Sequence, residues 1–560
     1  MPPLSILLWL PAVSGIVGVA ASAGAQRWGV AGPDAGRLGE RRTHRGGGTL
    51  SVSGAVALAG SLAALALAIG YLIDYTPGTR GLTHVTDVVW ISSLGIHYKL
   101  GVDGLNVFLL VLTTLLFAAA VLAANLREWE RPRLFYFQFM LAESAVLGAF
   151  LAQDLALFVA FFDLMLIPFY FLIGVWGREP GRVRATIKLI IYTLVGSLLM
   201  LAAAIATGVL TAQQGGGHIT FVLSQLQATP LGKGSQEWIF LFFAAAFLVK
   251  MPAFPLHGWM PDGYRAMPIE VLMVFSGVLS KVGAYGFLRI VLPLYPQAAV
   301  HFQVLMMLIA LLSIIYGSAL AFTETDVRLI AGYSSVAQLG FITLGIFSLN
   351  PQGAQGALLQ MVNHGLVVAA LFFVVGLLAK RAGSEDLAKM GGMAFRAPVL
   401  ASLFLIVTLA TLAMPGSSNF VGEFLILLGT FKAKLAIAVI AFTGVVLASV
   451  YALRLFIRSM HNRLARAERS RELTLREGTV LVPLVAVILF MALYPQLALH
   501  RSERSARLAV AASAAPGART ASAPARGRPI EGTGRLLARA CHAGAARVNC
   551  QAHASSRSRG

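Results

Sequence analysis

FLFFAAAFLVKMPAFPLHGWMPDGY, residues 240–264, decides how this chain is read. Lys250 follows an unbroken apolar run, and Pro252, Pro255 and Pro261 come directly after it. A charge inside a bilayer is expensive, and proline removes backbone hydrogen bonds where no water replaces them. A membrane helix tolerates both defects only where it lines a polar, hydrated cavity inside the protein. The segment therefore predicts a broken helix at a site of charge movement. His257 stands at the edge of the break as an uptake or release group.

The rest of the chain fits that reading. Of 560 residues, 57% are hydrophobic and 12% charged, against about 25% charged in soluble domains. The expected fold class is all-α: a polytopic membrane protein of about fourteen helices. The spans fall near 4–23, 51–73, 104–125, 134–152, 155–176, 185–211, 238–257, 267–295, 301–322, 328–349, 357–379, 398–416, 420–460 and 478–498. The first resembles a signal peptide but lacks a basic start and is followed by further spans, so it reads as a retained helix. Both cysteines, Cys541 and Cys550, lie in the C-terminal tail. The expected membrane body thus has no thiol for an iron–sulfur cluster or disulfide framework. Its sequence shows no phosphate loop, dinucleotide fingerprint or metal-ligand cluster.

The formal charge of +20 does not read as nucleic-acid binding. The tail 499–560 holds eleven arginines against Glu503 and Glu531, nine of the net charges. It is expected to be a basic, disordered tail. Most other basic residues flank the spans. Arg27, Arg37, Arg41, Arg42 and Arg45 follow the first, and Arg127, Arg131, Arg178, Arg182, Arg381 and Arg396 lie in later odd-numbered loops. Basic loops stay inside, so both termini are expected outside.

The polar residues within the spans recur at a near-constant offset. Asp163 in the fifth span and Gln338 in the tenth are 175 apart, Lys188 and His364 176, and Lys250 and Glu423 173. LVKMPAFP at the first break is echoed by LAMPGSSNFVGEF at 412–424. Five helices is an odd number, so the second set meets the opposite membrane face. Inverted repeats with paired broken helices are a sequence mark of secondary transporters. The expected organisation is helices 1–2 with loops (1–103), helix 3 (104–126), repeats over 134–295 and 301–460 with discontinuous helices 7 and 12, and helix 14 (478–498).

These groups suit proton relay. Asp163 sits among aromatic and aliphatic side chains, and Lys250 is its natural partner; making and breaking such a pair changes proton affinity. A static pair holding two helices together is the other reading. Lys281, in VFSGVLSKVGAYGFLRI, is a second buried ammonium amid small residues. His364 titrates near neutrality when unperturbed, and Glu423 sits where a half-helix terminus can solvate its charge. Glu143 has no evident partner and reads equally as a polar helix contact. Lys188, near the cytoplasmic end of its helix, reads as snorkelling to the interface.

FFDLMLIPFYFLIGVWG, VKMPAFPLHGWMPDGY, GVLSKVGAYGFLR, TDVRLIAGYSSVAQLGF, QMVNHGL and MPGSSNFVGEF lie in order over roughly 100–460. On them the chain resembles the antiporter-like membrane subunits of bacterial respiratory complex I, NADH–quinone oxidoreductase, most of all the M-type (chain 4). The resemblance implies that Asp163, Lys250, Lys281, His364 and Glu423 translocate protons. It places Gln338 where the family carries histidine, so water must replace an imidazole there. It implies an enzyme subunit without a redox centre, in the bacterial plasma membrane. Flavin, iron–sulfur clusters and quinone would belong to partner subunits, and L-, N- and K-type subunits, lipid, water and protons would be its partners. Glutamate at 423 separates this type from related subunits and from multisubunit sodium/proton antiporters, the alternative reading, which usually carry lysine there. A passive scaffold is the third reading, and a costly use of so many intramembrane charges.

Overall fold

The computed structural model describes residues 1–27, 51–79, 81–215, 217–462 and 471–514. The loop arginines at 37, 41, 42 and 45 and the tail beyond 514 lie outside the described residues. Helices α1 (Leu4–Arg27), α2 (Val52–Asp74), α3 (Val107–Ala124), α4 (Pro132–Leu151), α5 (Leu155–Trp176) and α6 (Arg182–Gly215) come first. The seventh passage is broken into α7a (Lys233–Lys250) and α7b (Met260–Ala266). Then follow α8 (Ile269–Leu294), α9 (Gln303–Thr323), α10 (Val327–Phe347) and α11 (Pro351–Ala382). A second broken passage gives α12a (Pro398–Thr411) and α12b (Ser418–Ala433), before α13 (Leu435–Met460), α14 (Leu475–Leu493) and α15 (Gln496–Ala514). Twelve of the described helices are long and apolar enough to cross a membrane, and neither broken passage is among them.

Local chemistry sets these boundaries. The Asp154 carboxylate accepts from the backbone N–H groups of Ala156 and Leu157 at 2.9 and 3.1 Å and starts α5. Asp326 starts α10 in the same way through Arg328 and Leu329, and Asn350 caps α11 through Gly353. Each satisfies N–H groups that a helix leaves unpaired at its beginning. Proline opens α4, α11 and α12a, where its missing donor costs nothing.

Four features depart from the sequence expectation. The run read as one helix over 420–460 is two, because Lys434 is extended at φ −150°, ψ 94° and ends α12b. Residues 499–514, expected as disordered tail, belong to helix α15. That helix is tied down where Ser505 Oγ accepts from Gly104 N–H at 3.1 Å and the Leu499 carbonyl accepts from Gln355 at 2.9 Å. The region 1–103 contains an antiparallel hairpin, β1 (Thr83–Ile91) with β2 (Ile96–Val102), in register from Thr86 opposite Leu100 to Val89 opposite His97, with a register shift on either side. The offset pairing of Lys250 with Glu423 is not a positional equivalence either. Lys250 ends the piece before its break, whereas Glu423 lies in the piece after its own.

The centre of the molecule is built by close helix approach. α10 is buried along its whole length, as is α8 apart from partly covered Arg289 and Pro293, so both pack against protein rather than lipid. Where α8 meets α11, a Cβ on Gly365 would stand 2.7 Å from the Gly277 carbonyl oxygen. Small residues permit this contact and dispersion rewards it. Gly365→Val is expected to destabilise the fold by about 1–3 kcal/mol through overpacking, seen as a lower Tm of the purified complex.

The α7b–α8 corner is clasped to the start of α10 and to the loop after α11. Arg328, at the start of α10, donates to the Met267 and Tyr264 carbonyls at 2.6 and 3.3 Å and to Glu385 at 2.6 Å. Arg178 shares the same carboxylate. One guanidinium thus fixes the corner between α7b and α8 against α10 and the loop after α11. Burial of that cation is tolerable because it is paired and hydrogen-bonded.

Candidate functional site

The first group lies where α5, α6 and α7a meet. α5 is interrupted at Met165, two residues after Asp163. The Asp163 carboxylate accepts a hydrogen bond from the Ser197 hydroxyl of α6. Lys250 is 6% exposed and its ammonium stands 4.8 Å from the centre of the Phe162 ring. Asp163 and Lys250 interact electrostatically, yet among the described ion pairs within 4.0 Å this one does not occur. The expected partners are therefore neighbours with separate direct contacts, serine for the acid and an aromatic face for the ammonium. Such a cation is stabilised by the ring quadrupole and is not locked to one anion.

Lys281 is fully buried on α8 between two π-helical turns, Phe275–Leu279 and Phe287–Val291. Widened turns of this kind free backbone carbonyls and often mark functional positions. The Ser276 carbonyl accepts from Lys281 Nζ at 2.5 Å and Ser280 Oγ lies 3.2 Å away. The Ser276 hydroxyl also bonds Ser335 of α10 at 3.2 Å. His364 of α11 is within electrostatic range of Lys281, and its Nδ1 has no hydrogen-bond partner.

A second cluster follows around the break in the twelfth passage. Gln338 Nε2 donates to Glu423 Oε1 at 2.7 Å, and Gln360 Nε2 donates to Gln338 Oε1 at 2.8 Å. Gln360 also reaches Glu423 Oε1 at 3.4 Å. Glu423 is 2% exposed and its second oxygen is unpartnered. Gln338 cannot carry a proton at neutral pH, but its amide orients the acid that can. Asn363 Nδ2 donates to the Ser418 carbonyl at 2.5 Å at the start of α12b, and Asn419 beside it is buried with both side-chain polar atoms unpartnered. His364, Gln338 and Asn419 line one small cavity, with room for about one water. Buried polar atoms without protein partners around a small cavity are the setting in which internal water is bound.

The remaining positions sit apart. Lys188 does not simply snorkel: it pairs with Asp262 of α7b at 2.9 Å, tying α6 to the piece beyond the first break. His257 is 8% exposed in that break, its ring 5.1 Å from Tyr316 and 5.9 Å from Phe254, with Nδ1 unpartnered. Glu143, which had no partner in sequence, accepts from the Ser61 hydroxyl of α2 at 2.6 Å. No contact joins it to the cluster of Lys250, Lys281, His364 and Glu423 among its hydrogen bonds. Sequence reading missed Ser197, Asp262, Gln360, Asn363 and Asn419. Only Asp262 carried a visible signal, a charge three residues into the piece after the break. No group of three or more His, Cys, Asp or Glu suited to a metal occurs among the described residues.

Residues 152–448 match the family described as NADH:quinone oxidoreductase/Mrp antiporter, TM. NADH-quinone oxidoreductase subunit M of Rhodobacter capsulatus is 37% identical over 453 residues, 79% of this chain and 87% of that protein. A chain of respiratory complex I from Thermus thermophilus superposes with a TM-score of 0.77 at 30% identity, over 90% of this chain and 99% of that one. A chain of the Mrp complex from a Dietzia species shares the fold at a TM-score of 0.71 and 20% identity, over 91% of this chain and 99% of its own. With broken passages at Lys250 and before Glu423, and relatives matched over most of their length, the chain belongs to the NADH:quinone oxidoreductase/Mrp antiporter family of membrane proteins.

Proposed function

We propose that this chain conducts protons across a bacterial plasma membrane as one subunit of an NADH–quinone oxidoreductase. The observation that carries the reading is a set of ionisable groups, Lys250, Lys281, His364 and Glu423, each at most 6% exposed and each on a helix inside the protein. So many buried charges are retained only where they act on one another or on a transported ion. Relatives named subunit M of that enzyme support the redox-driven role. Likeness to the Mrp complex is at the level of fold.

Quinone reduction elsewhere in the complex supplies the driving force, and this chain holds no redox centre. Flavin, iron–sulfur clusters and quinone reside on partner subunits, and L-, N- and K-type chains are its membrane neighbours. Basic loops put both termini on the outer side. A field change near Asp163 alters how strongly it holds Lys250 in the protonated state. The lysine then passes its proton towards Lys281 and His364, and Glu423 releases it beyond the second break. Lys188–Asp262 and His257 mark the uptake side of the first break. Buried charges are weakly screened, so the signal carries over several residues.

Asp163→Asn tests the first step. Asparagine keeps the Ser197 contact and removes the charge, so protons moved per electron in membrane vesicles should fall severalfold with the complex assembled. Wild-type stoichiometry would show that Asp163 has no part in coupling.

A further inference from the structure

Lys281 is an ammonium held without a counter-charge. It is fully buried, and among the described residues no carboxylate stands within 4.0 Å of it. Two neutral oxygens hold it instead, the Ser276 carbonyl at 2.5 Å and Ser280 Oγ at 3.2 Å. Every hydroxyl proton around it points elsewhere. Ser280 donates its own to the Ser276 carbonyl at 2.9 Å, Ser276 donates to Ser335 of α10 at 3.2 Å, and Ser335 donates to the Ala331 carbonyl at 2.9 Å. All three serines are buried. Lys281 therefore meets acceptors only. A protonated amine, with three donors and no lone pair, suits such a cradle, whereas a neutral amine would leave its lone pair without a donor.

We infer that Ser280 is a positioning residue for proton transfer: its oxygen holds the Lys281 ammonium against the Ser276 carbonyl and so sets how readily the proton leaves towards His364. This rests on the proton-conducting reading above and adds to it the group that controls release at the middle of the chain. The step is a proton shift without redox change. One N–H bond of the ammonium breaks, the proton passes on towards His364, and the neutral amine left behind takes up the next proton. α3, α4, α7a, α10 and α11 pack around this turn of α8. Of the buried titratable side chains on them, Tyr136, Glu143, Lys250, Arg328, Tyr333 and His364, the one that interacts electrostatically with Lys281 is His364. The Ser280 oxygen and the His364 ring are thus the two local influences on this proton.

Ser280→Ala in the complete complex removes the oxygen without adding bulk. Protons moved per electron in inside-out vesicles are measured against pH. Losing one acceptor of a charged donor weakens proton retention about tenfold. The alkaline limb of the Ser280→Ala profile should therefore lie about one unit lower, with pumping near wild type on its acid side. Ser280→Thr keeps the hydroxyl and should overlay the wild type. A serine that only fills space would leave the limb where it is, its loss lowering pumping equally at every pH. Should the alanine variant not assemble, Ser280→Cys, of similar size and a weaker acceptor, should move the limb the same way. An unmoved limb in Ser280→Ala, or in Ser280→Cys where that variant stands in for it, overturns the inference, as does an equal shift in Ser280→Thr. If Lys281→Met stops pumping while Ser280→Ala keeps the wild-type profile, the positioning role alone is wrong; normal pumping by Lys281→Met removes the wider reading.

Discussion

Lys250→Met is expected to cut proton translocation per electron about tenfold or more, with the complex still assembled. Methionine resembles the lysine stem in length, so it fills the pocket against Phe162. It also removes the desolvation cost of a buried ammonium, while the Asp163 carboxylate keeps its hydrogen bond from Ser197. What is lost is the charge, and with it the ability to take and release a proton between Asp163 and Lys281. Vesicles driven by NADH report pumping through a pH-sensitive dye, and native electrophoresis reports assembly. Undiminished pumping would mean that the buried ammonium is structural.

Glu423→Gln should produce a loss of similar size for a different reason. Glu423 Oε1 accepts from both Gln338 and Gln360, and a glutamine carbonyl at 423 can keep accepting from both. Packing around α12b is therefore preserved and the fold should hold. The second oxygen, unpartnered in the protein, would become an amide nitrogen that cannot accept the transported proton. Transfer stops at the second break and pumping falls about tenfold or more. If Glu423→Gln pumped normally while Glu423→Ala did not, the residue would be an anchor for the two glutamines, not a relay. The comparison separates charge from hydrogen bonding.

The charged half of the site was legible because charge in an apolar run has few innocent explanations. Lys250, Lys281, His364 and Glu423 stand out for that reason, and prolines 252, 255 and 415 mark the two breaks. The neutral half was not legible. Ser197, Gln360, Asn363 and Asn419 are residue types that occur throughout membrane helices, and their meaning depends on which neighbour they face. That information lies in helix packing, absent from one sequence. Helix α15 was hidden for a related reason. Its buried side is Ala498, Ser502, Ala506, Ala509, Val510 and Ser513, a stripe too small and too weakly apolar to stand out among arginines. The hairpin was hidden by brevity: THVTDVVWI has the β-branched content of a strand, but only residues 75–82 separate it from a long apolar helix.

The account's central claim is a continuous hydrated path through this chain, and ordered water in the assembled complex tests it most directly. A cryo-EM map of the complex at a resolution that shows water should place a chain of density from Lys250 past Lys281 and His364 to Glu423, with steps of about 3 Å, the spacing of hydrogen-bonded oxygens. A dry gap wider than two such steps between Lys281 and Glu423, present in every resolved state of the working complex, would contradict it.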